Sequence, residues 1–346
     1  NVRLEGRCIY TNAPIAGAFR GYGVVQTYYA LDLQMDEAAE KLGFDPAEFK
    51  LKNAVREGDI APSNHPIVGH GLEDGMEETG WPAVRRHGRD TGVKRRGWGI
   101  GCEMHGSSAY PGIKEQGNAI VKMNEDGTVT LLTGTAGLGT GAHTALSQIV
   151  AEELGVPFET ISVVQGDTDV VPWDIGAFAS HTTYMGGRAA QIAAADVRRQ
   201  VLAHAAPQLG ATPEELTIRD GVIVMEGSNR SMTLAEAVAP QRGMPAIQLV
   251  GVGTYTPTKS YSFAAHFVEV EVDTETGEIR VLQVIPVHEI GKVIHPIAAQ
   301  GQIEGGIQQG IGHTLSEDYV IDHQTGRSLN AGFVDYKMPL SMDMPP

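Results

Sequence analysis

The sequence predicts an α+β fold in which hairpins and helices interleave, and three observations point to it. Apolar residues recur at helical spacing in several stretches, two segments alternate around short polar turns, and the 43 glycines gather in a few blocks. The first helix is expected over 24–42, where Tyr28, Leu31, Met35, Ala38, Ala39 and Leu42 share one face and Gly43 stops the run. Asp45-Pro46 opens a second short helix that runs to Asn53. Residues 54–97, rich in Gly, Pro, Arg and Glu, read as surface connection. A hairpin follows, with strands at 120–123 and 128–132 about the turn Asn124-Glu125-Asp126-Gly127. Next come a helix at 143–154 closed by Gly155 and Pro157, a strand at 161–164, and an Ala-rich helix from Gly187 to about His204. A second hairpin is expected at 267–272 and 279–287, turning at Thr274-Glu275-Thr276-Gly277. A glycine block follows each hairpin, at 134–141 and at 301–312, which suggests a pseudo-repeat. The last expected strand includes Met338-Pro339-Leu340.

With 346 residues, 42% of them hydrophobic, the chain can bury a sizeable core as one large or two moderate domains. Its formal charge of -16, from 42 acidic and 26 basic residues, disfavours nucleic acid and anionic membranes as partners. No apolar run approaches the roughly 20 residues of a membrane span. The start, Asn1-Val2-Arg3-Leu4-Glu5, lacks an initiator Met and the order of a signal peptide, so the chain is expected to begin inside a larger protein or to be processed. Cys8 and Cys102 match no ligand spacing and cannot hold an iron–sulfur cluster alone, which makes a reducing cytoplasm the default.

Four blocks carry the candidate chemistry. In Gly17-Ala18-Phe19-Arg20-Gly21-Tyr22-Gly23, glycines flank an aromatic and an arginine just before a helix. Such a turn lets backbone amides approach an anionic or oxo group, although it also suits a tight turn whose rings join the core. The block Gly134-Thr135-Ala136-Gly137-Leu138-Gly139-Thr140-Gly141 lies between a strand and a helix, a geometry that cradles phosphate. No Lys follows Gly141, and Ala142 stands where a dinucleotide fingerprint needs glycine, so neither nucleotide motif is present. The third block, Gly176-Ala177-Phe178-Ala179-Ser180-His181-Thr182-Thr183-Tyr184-Met185-Gly186-Gly187, offers hydroxyl donors ahead of a helix, and equally ordinary N-cap residues. The fourth runs from His288-Glu289 through Gly301-Gln302-Ile303-Glu304-Gly305-Gly306 to His313. His288, His295 and Glu304 have no metal-ligand spacing and read as paired or solvated side chains. No nucleophile elbow or cysteine nucleophile is present, so the chemistry is expected from a bound cofactor.

Taken in this order, from Tyr10-Thr11-Asn12 to about Glu317, the blocks resemble the large subunit of the molybdenum hydroxylases, the xanthine dehydrogenase and aldehyde oxidoreductase family. The resemblance implies an aldehyde oxidoreductase-type molybdenum-cofactor-binding domain, with residues 1–110 its first part and 111–346 its second, bearing the pterin-binding glycine loops. It implies that Ala18, Phe19 and Arg20 offer backbone amides to the metal's oxygen ligands. Tyr22 would stack on substrate, with Tyr110 a second substrate-facing ring. Gly139, Thr140 and Gly141 would touch the pterin; Thr140 stands where many members have Gln. Ser180 and Thr182 match hydroxyls at the pterin's phosphate or pyran end, and Gln302 a glutamine beside the dithiolene.

By the same resemblance the cofactor is a molybdopterin carrying molybdenum, with the cytosine dinucleotide form left open. The reaction is hydroxylation, or reductive dehydroxylation, of an aromatic, N-heterocyclic or aldehyde substrate. Electrons leave through iron–sulfur clusters and FAD on partner subunits. The general-base Glu of the family's Gly-Val-Gly-Glu-Pro-like motif is absent from the sequence, as is the upstream half of the pocket. Both are expected on another chain or in a removed segment, so no catalytic residue is assigned here. A non-catalytic cofactor-binding or scaffold paralogue is the alternative. A nucleotide-binding protein resting on the 134–141 turn alone is a third.

Overall fold

Helix α1 (Val24–Leu42) ends where Gly43 enters the left-handed region at φ 76°, its N–H returning to the carbonyls of Ala39 and Glu40. Asp45 then starts α2 (Pro46–Asn53) by accepting from the amides of Ala47 and Glu48 at 2.9 and 3.3 Å. Both helices stand as the sequence predicts. A buried Lys50 ties them together, reaching Asp32 at 3.0 Å and Asp36 at 2.9 Å. The other oxygen of Asp32 accepts from the Cys102 amide at 2.8 Å, which fastens the helix pair to the next strand. The computed structural model describes residues 3, 5–60, 71–81, 83–86, 92–107, 115–239, 247–257 and 260–345.

The stretch expected to be surface connection holds two helices, α3 (Leu72–Thr79) and α4 (Ala83–Arg86), and leads into the strand β1 (Lys94–Ser107). This corrects the expectation, because α3 is a core element. Leu72 is buried, and a Cβ on Gly75 would stand 2.1 Å from the Phe267 ring. The remaining elements follow in chain order. They are β2 (Gly117–Met123), β3 (Val129–Thr133), α5 (Ala142–Leu154), β4 (Ile161–Val164), α6 (Gly187–Leu209), β5 (Leu216–Arg219), β6 (Val222–Met225), β7 (Ser231–Thr233) and α7 (Leu234–Val238). Then come β8 (Leu249–Tyr255), β9 (Ser260–Asp273), β10 (Ile279–Glu289) and α8 (Pro296–Leu315).

These strands form three sheets, ordered β1-β9-β10, β4-β3-β2-β8 and β5-β6-β7. The first is antiparallel and packs Ile100, Ala265 and Phe267 against Ala47 of α2, Leu72 of α3 and Trp81 of the turn after α3. It joins the two expected parts of the chain, since β1 precedes residue 110 and its partner β9 follows residue 111. In the second sheet β3 and β4 are parallel, with α5 as the crossover between them. The expected strand, helix and strand at 128–164 thus form a βαβ unit within the interleaved hairpins and helices. Val121, Leu131, Leu146, Val150, Val197 and Val201 form the centre of the larger core. Helix α6 runs past His204 to Leu209, through Pro207. It lies so close to β8 that a Cβ on Gly253 would fall 1.9 Å from the Ala189 carbonyl oxygen.

Two further expectations are corrected. The block around residue 302 is not a turn: Gly301 to Gly312 lie inside α8, so the pseudo-repeat of hairpin and glycine loop stops at the second hairpin. Met338-Pro339-Leu340 forms no strand; Pro339 instead packs on Gly312, and its carbonyl accepts from Gln308 Nε2 at 2.9 Å.

Candidate functional site

Helix α8 organises the site. Pro296 occupies its first turn, and His295 caps it, Nδ1 accepting from the Ala298 amide at 3.4 Å. Gln302 follows on this helix and meets the first block. Arg20 Nη2 donates to the Gln302 carbonyl at 2.7 Å and to its Oε1 at 3.0 Å. The guanidinium lies over Gly305 and Gly306, where Cβ atoms would stand 3.4 Å from Nη1 and 4.0 Å from Cζ. The side chain of Arg20 therefore joins two blocks far apart in sequence, a role that its neighbours do not announce.

The second block reaches the same helix from its other end. A Cβ on Gly141 would sit 3.1 Å from Ala298 Cβ and 3.9 Å from His295 Cδ2. Gly139 and Gly141 hold φ of 84° and 75°, and Gly137 to Thr140 are exposed. The base of this loop meets the third block: Thr135 Oγ1 donates to Asp174 at 3.2 Å, and a Cβ on Gly186 would stand 3.0 Å from that hydroxyl. In the third block Ala179 and Ser180 are both left-handed, at φ 50° and 52°, and a π-helical turn begins at Thr182. The segments that flank Ser180 and Thr182 thus meet the base of the 134–141 loop at Asp174 and Gly186, whereas Arg20 contacts α8 directly.

In the first block Tyr22 is turned outward by a left-handed backbone, φ 47°, which a tyrosine adopts only where surrounding structure demands it. Phe19 packs on His313 near the end of α8, with ring centroids 4.4 Å apart. Ala18, Phe19, Arg20, Tyr22, Gln26 and His313 line an open cavity of about 290 Å³. Gln26 and His313 are not singled out as site residues by the sequence. The ring contact between His313 and Phe19 exists only in the fold, which brings the end of α8 to the first block. Tyr110, the other expected aromatic, lies outside the described residues. The remaining candidates resolve into ordinary contacts: His288 Nε2 is 2.7 Å from His266 Nε2, and Glu304 accepts from Gln300 at 2.7 Å.

The residues present fit a phosphate-bearing pterin. Nothing lies within 4 Å of a Cβ built on Gly23, Gly139 or Gly301, so a flat ligand can approach the backbone there. The donor set is one guanidinium, one carboxamide, two hydroxyls and exposed amides, which suits a polar, oxygen-rich, anionic group. Among the described residues no three His, Cys, Asp or Glu side chains converge as ligands.

Comparison with known proteins agrees with this geometry. The family model described as molybdopterin cofactor-binding domain matches residues 74–345, and a second model of the same description matches residues 1–54. The chain belongs to the molybdopterin cofactor-binding domain family. It is 36% identical to the xanthine dehydrogenase molybdenum-binding subunit of Escherichia coli O157:H7, over 99% of this chain and 47% of that protein. It is 33% identical to the aldehyde oxidoreductase molybdenum-binding subunit of Escherichia coli (strain K12), over 96% of this chain and 44% of that one. Among solved structures, quinoline 2-oxidoreductase from Pseudomonas putida 86 superposes with a TM-score of 0.84 at 28% identity, covering 95% of this chain and 45% of that one. The chain spans about half the length of the curated relatives it matches.

Proposed function

We propose that this chain forms one wall of the cofactor slot in the molybdopterin-binding subunit of an oxidoreductase, which hydroxylates or reductively dehydroxylates an aromatic, N-heterocyclic or aldehyde substrate. The observation that carries the reading is the Arg20–Gln302 contact, which brings the first and fourth blocks onto one helix while Gly141 abuts the same helix. When bound, the cofactor would supply the redox and oxygen-transfer chemistry. Ala18, Phe19 and Arg20 present backbone amides beside it; Gly139, Thr140, Gly141 and Gln302 line its length. Ser180 and Thr182 donate to its phosphate or pyran end. Tyr22, half exposed at the cavity mouth, offers a flat face for a planar substrate, and Tyr110 is proposed as its counterpart.

The proposal extends to what lies beyond these residues. The general-base Glu comes from another segment, and iron–sulfur clusters and FAD sit on partner subunits that take up the electrons. The pterin form with cytosine dinucleotide and a cytoplasmic location belong to the same proposal. No helix among the described residues is long and apolar enough to cross a membrane.

The test is cofactor content in the full subunit within its assembly. Arg20→Ala, Gln302→Ala and Ser180→Ala are expected to lower pterin and molybdenum per subunit by roughly tenfold, the lower end for residues that orient or touch a bound group. Wild-type content in all three variants would overturn the site. The chain purified by itself is expected to give no substrate-dependent dye reduction, and turnover in the absence of molybdenum would discard the reading.

A further inference from the structure

Beneath the third block lies an acid–imidazole pair to which the proposed site assigns no role. Glu115, just ahead of β2, and His181 are 4% and 2% exposed. His181 Nδ1 stands 3.7 Å from Glu115 Oε2, and among the described residues neither side chain has a hydrogen bond to any other group. That separation is about 0.8 Å longer than a charge-assisted hydrogen bond of about 2.9 Å. Burying both groups with so little compensation is costly, and a native fold retains such a pair where it specifies a conformation.

The conformation at stake is the Ala179-Ser180 turn. Both residues hold positive φ, which side-chain-bearing residues keep only when surrounding structure over-determines it. The backbone bonds within the turn are long: Phe178 N to Gly176 O is 3.2 Å, and His181 N to Phe178 O is 3.3 Å. Between residues 171 and 184 His181 is the single buried residue, so it is the anchor of the segment. Phe178 meets its ring edge-on at 5.0 Å. Glu115 belongs to the sheet side of the contact, where Gly117 is pressed so closely that a Cβ would fall 2.5 Å from the Met185 carbonyl oxygen. A close, buried approach thus joins the segment just ahead of β2 to the residue between Ser180 and Thr182.

We infer that Glu115 and His181 are positioning residues, which hold the left-handed turn so that the hydroxyls of Ser180 and Thr182 face an incoming phosphate-bearing ligand. This rests on the reading that the third block binds the pterin. A residue one layer behind a ligand-binding group acts by fixing that group's orientation.

The experiment uses the full subunit in its assembly. It measures pterin retained after gel filtration, by fluorescence of the oxidised pterin, alongside Tm. In the double variant Glu115→Leu/His181→Leu an apolar pair replaces the polar one, so folding is expected to persist with Tm within a few degrees. Pterin retention is expected to fall roughly tenfold to a hundredfold. Glu115→Gln, which keeps the shape and a polar group beside the imidazole but removes the carboxylate, is expected to lie between. Wild-type retention in a folded double variant overturns the inference, and so does a loss of pterin accompanied by an equal collapse of Tm, which would make the pair merely structural. Should the double variant not fold, wild-type retention in Glu115→Gln overturns it instead. Ser180→Ala and Gln302→Ala separate the two levels: if they too keep the pterin, the parent site fails, whereas their loss beside an intact double variant sinks the pair alone.

Discussion

Helices α6 and α8 have 23 and 20 residues, yet opposite means hold them in place. Along α6 the side chains of Ala189, Ala193, Val197 and Val201 are fully buried against β8 and α5. Along α8 the single buried residue is Gly312, and Ile297 is 81% exposed. What fixes α8 is polar: Arg20 on Gln302, Gln308 on the Pro339 carbonyl, and the His295 cap. Buried apolar packing is therefore concentrated around one helix and polar contacts around the other. An element with few buried apolar contacts contributes less to global stability than one sunk in the core.

Substitutions can break this contrast or sharpen it. The largest effect is expected from Gly253→Val, whose side chain collides with the Ala189 carbonyl of α6. Denaturant unfolding should show a loss of about 3 kcal/mol or more. A loss below about 1 kcal/mol would mean that α6 slides away freely and that its packing is not tight. Next, Leu146→Ala, at a fully buried position, is expected to cost about 2–5 kcal/mol, while Ile297→Ala on α8 stays within about 0.5 kcal/mol. Equal costs at the two sites would erase the distinction.

A histidine pair on the first sheet, apart from both helices, is expected to make stability depend on pH. His266 on β9 and His288 on β10 share one hydrogen bond of 2.7 Å, so one ring donates and the other accepts, and a second proton would set two donors against each other. Burial first, and His288 second, push the His266 pKa from 6.5 down to about 4. The unfolded chain takes up this proton below about pH 6.5, whereas the folded chain refuses it until about pH 4. Stability is therefore fully present above 6.5 and declines as pH falls toward 4, by at most about 1.4 kcal/mol per pH unit for this one group. Tm against pH checks it, and His266→Gln should flatten that part of the profile. A modest gain of about 1 kcal/mol is expected from Ala179→Gly, which relieves a positive φ and is visible as a slightly raised Tm.

Much of the local structure is legible in the sequence because each signal is local. Gly43 and Asp45 punctuate α1 and α2, and the Asn124-Glu125-Asp126-Gly127 turn sets the first hairpin. β1 is hidden because Gly97, Gly99 and Gly101 look like turn residues. They alternate with Trp98, Ile100 and Cys102, whose side chains face the small core. α3 is hidden because its inward positions Leu72, Gly75 and Thr79 include one large apolar side chain, and Gly75 is required by the Phe267 ring that packs on it. Glycines in α8 likewise read as a loop, although two of them make room for Arg20. Of the site, the blocks are visible as glycine and hydroxyl clusters. The contacts that assemble them are not, since Arg20 with Gln302 and Glu115 with His181 depend on partners that no local pattern names.

The contact between Arg20 and Gln302 spans 282 positions of chain. A ribosome emits residue 20 long before residue 302, so the aromatic loop waits, without its clasp, while everything between them is made. Joining of the first block to the fourth is in consequence a late event, open only to a polypeptide whose α8 has already emerged.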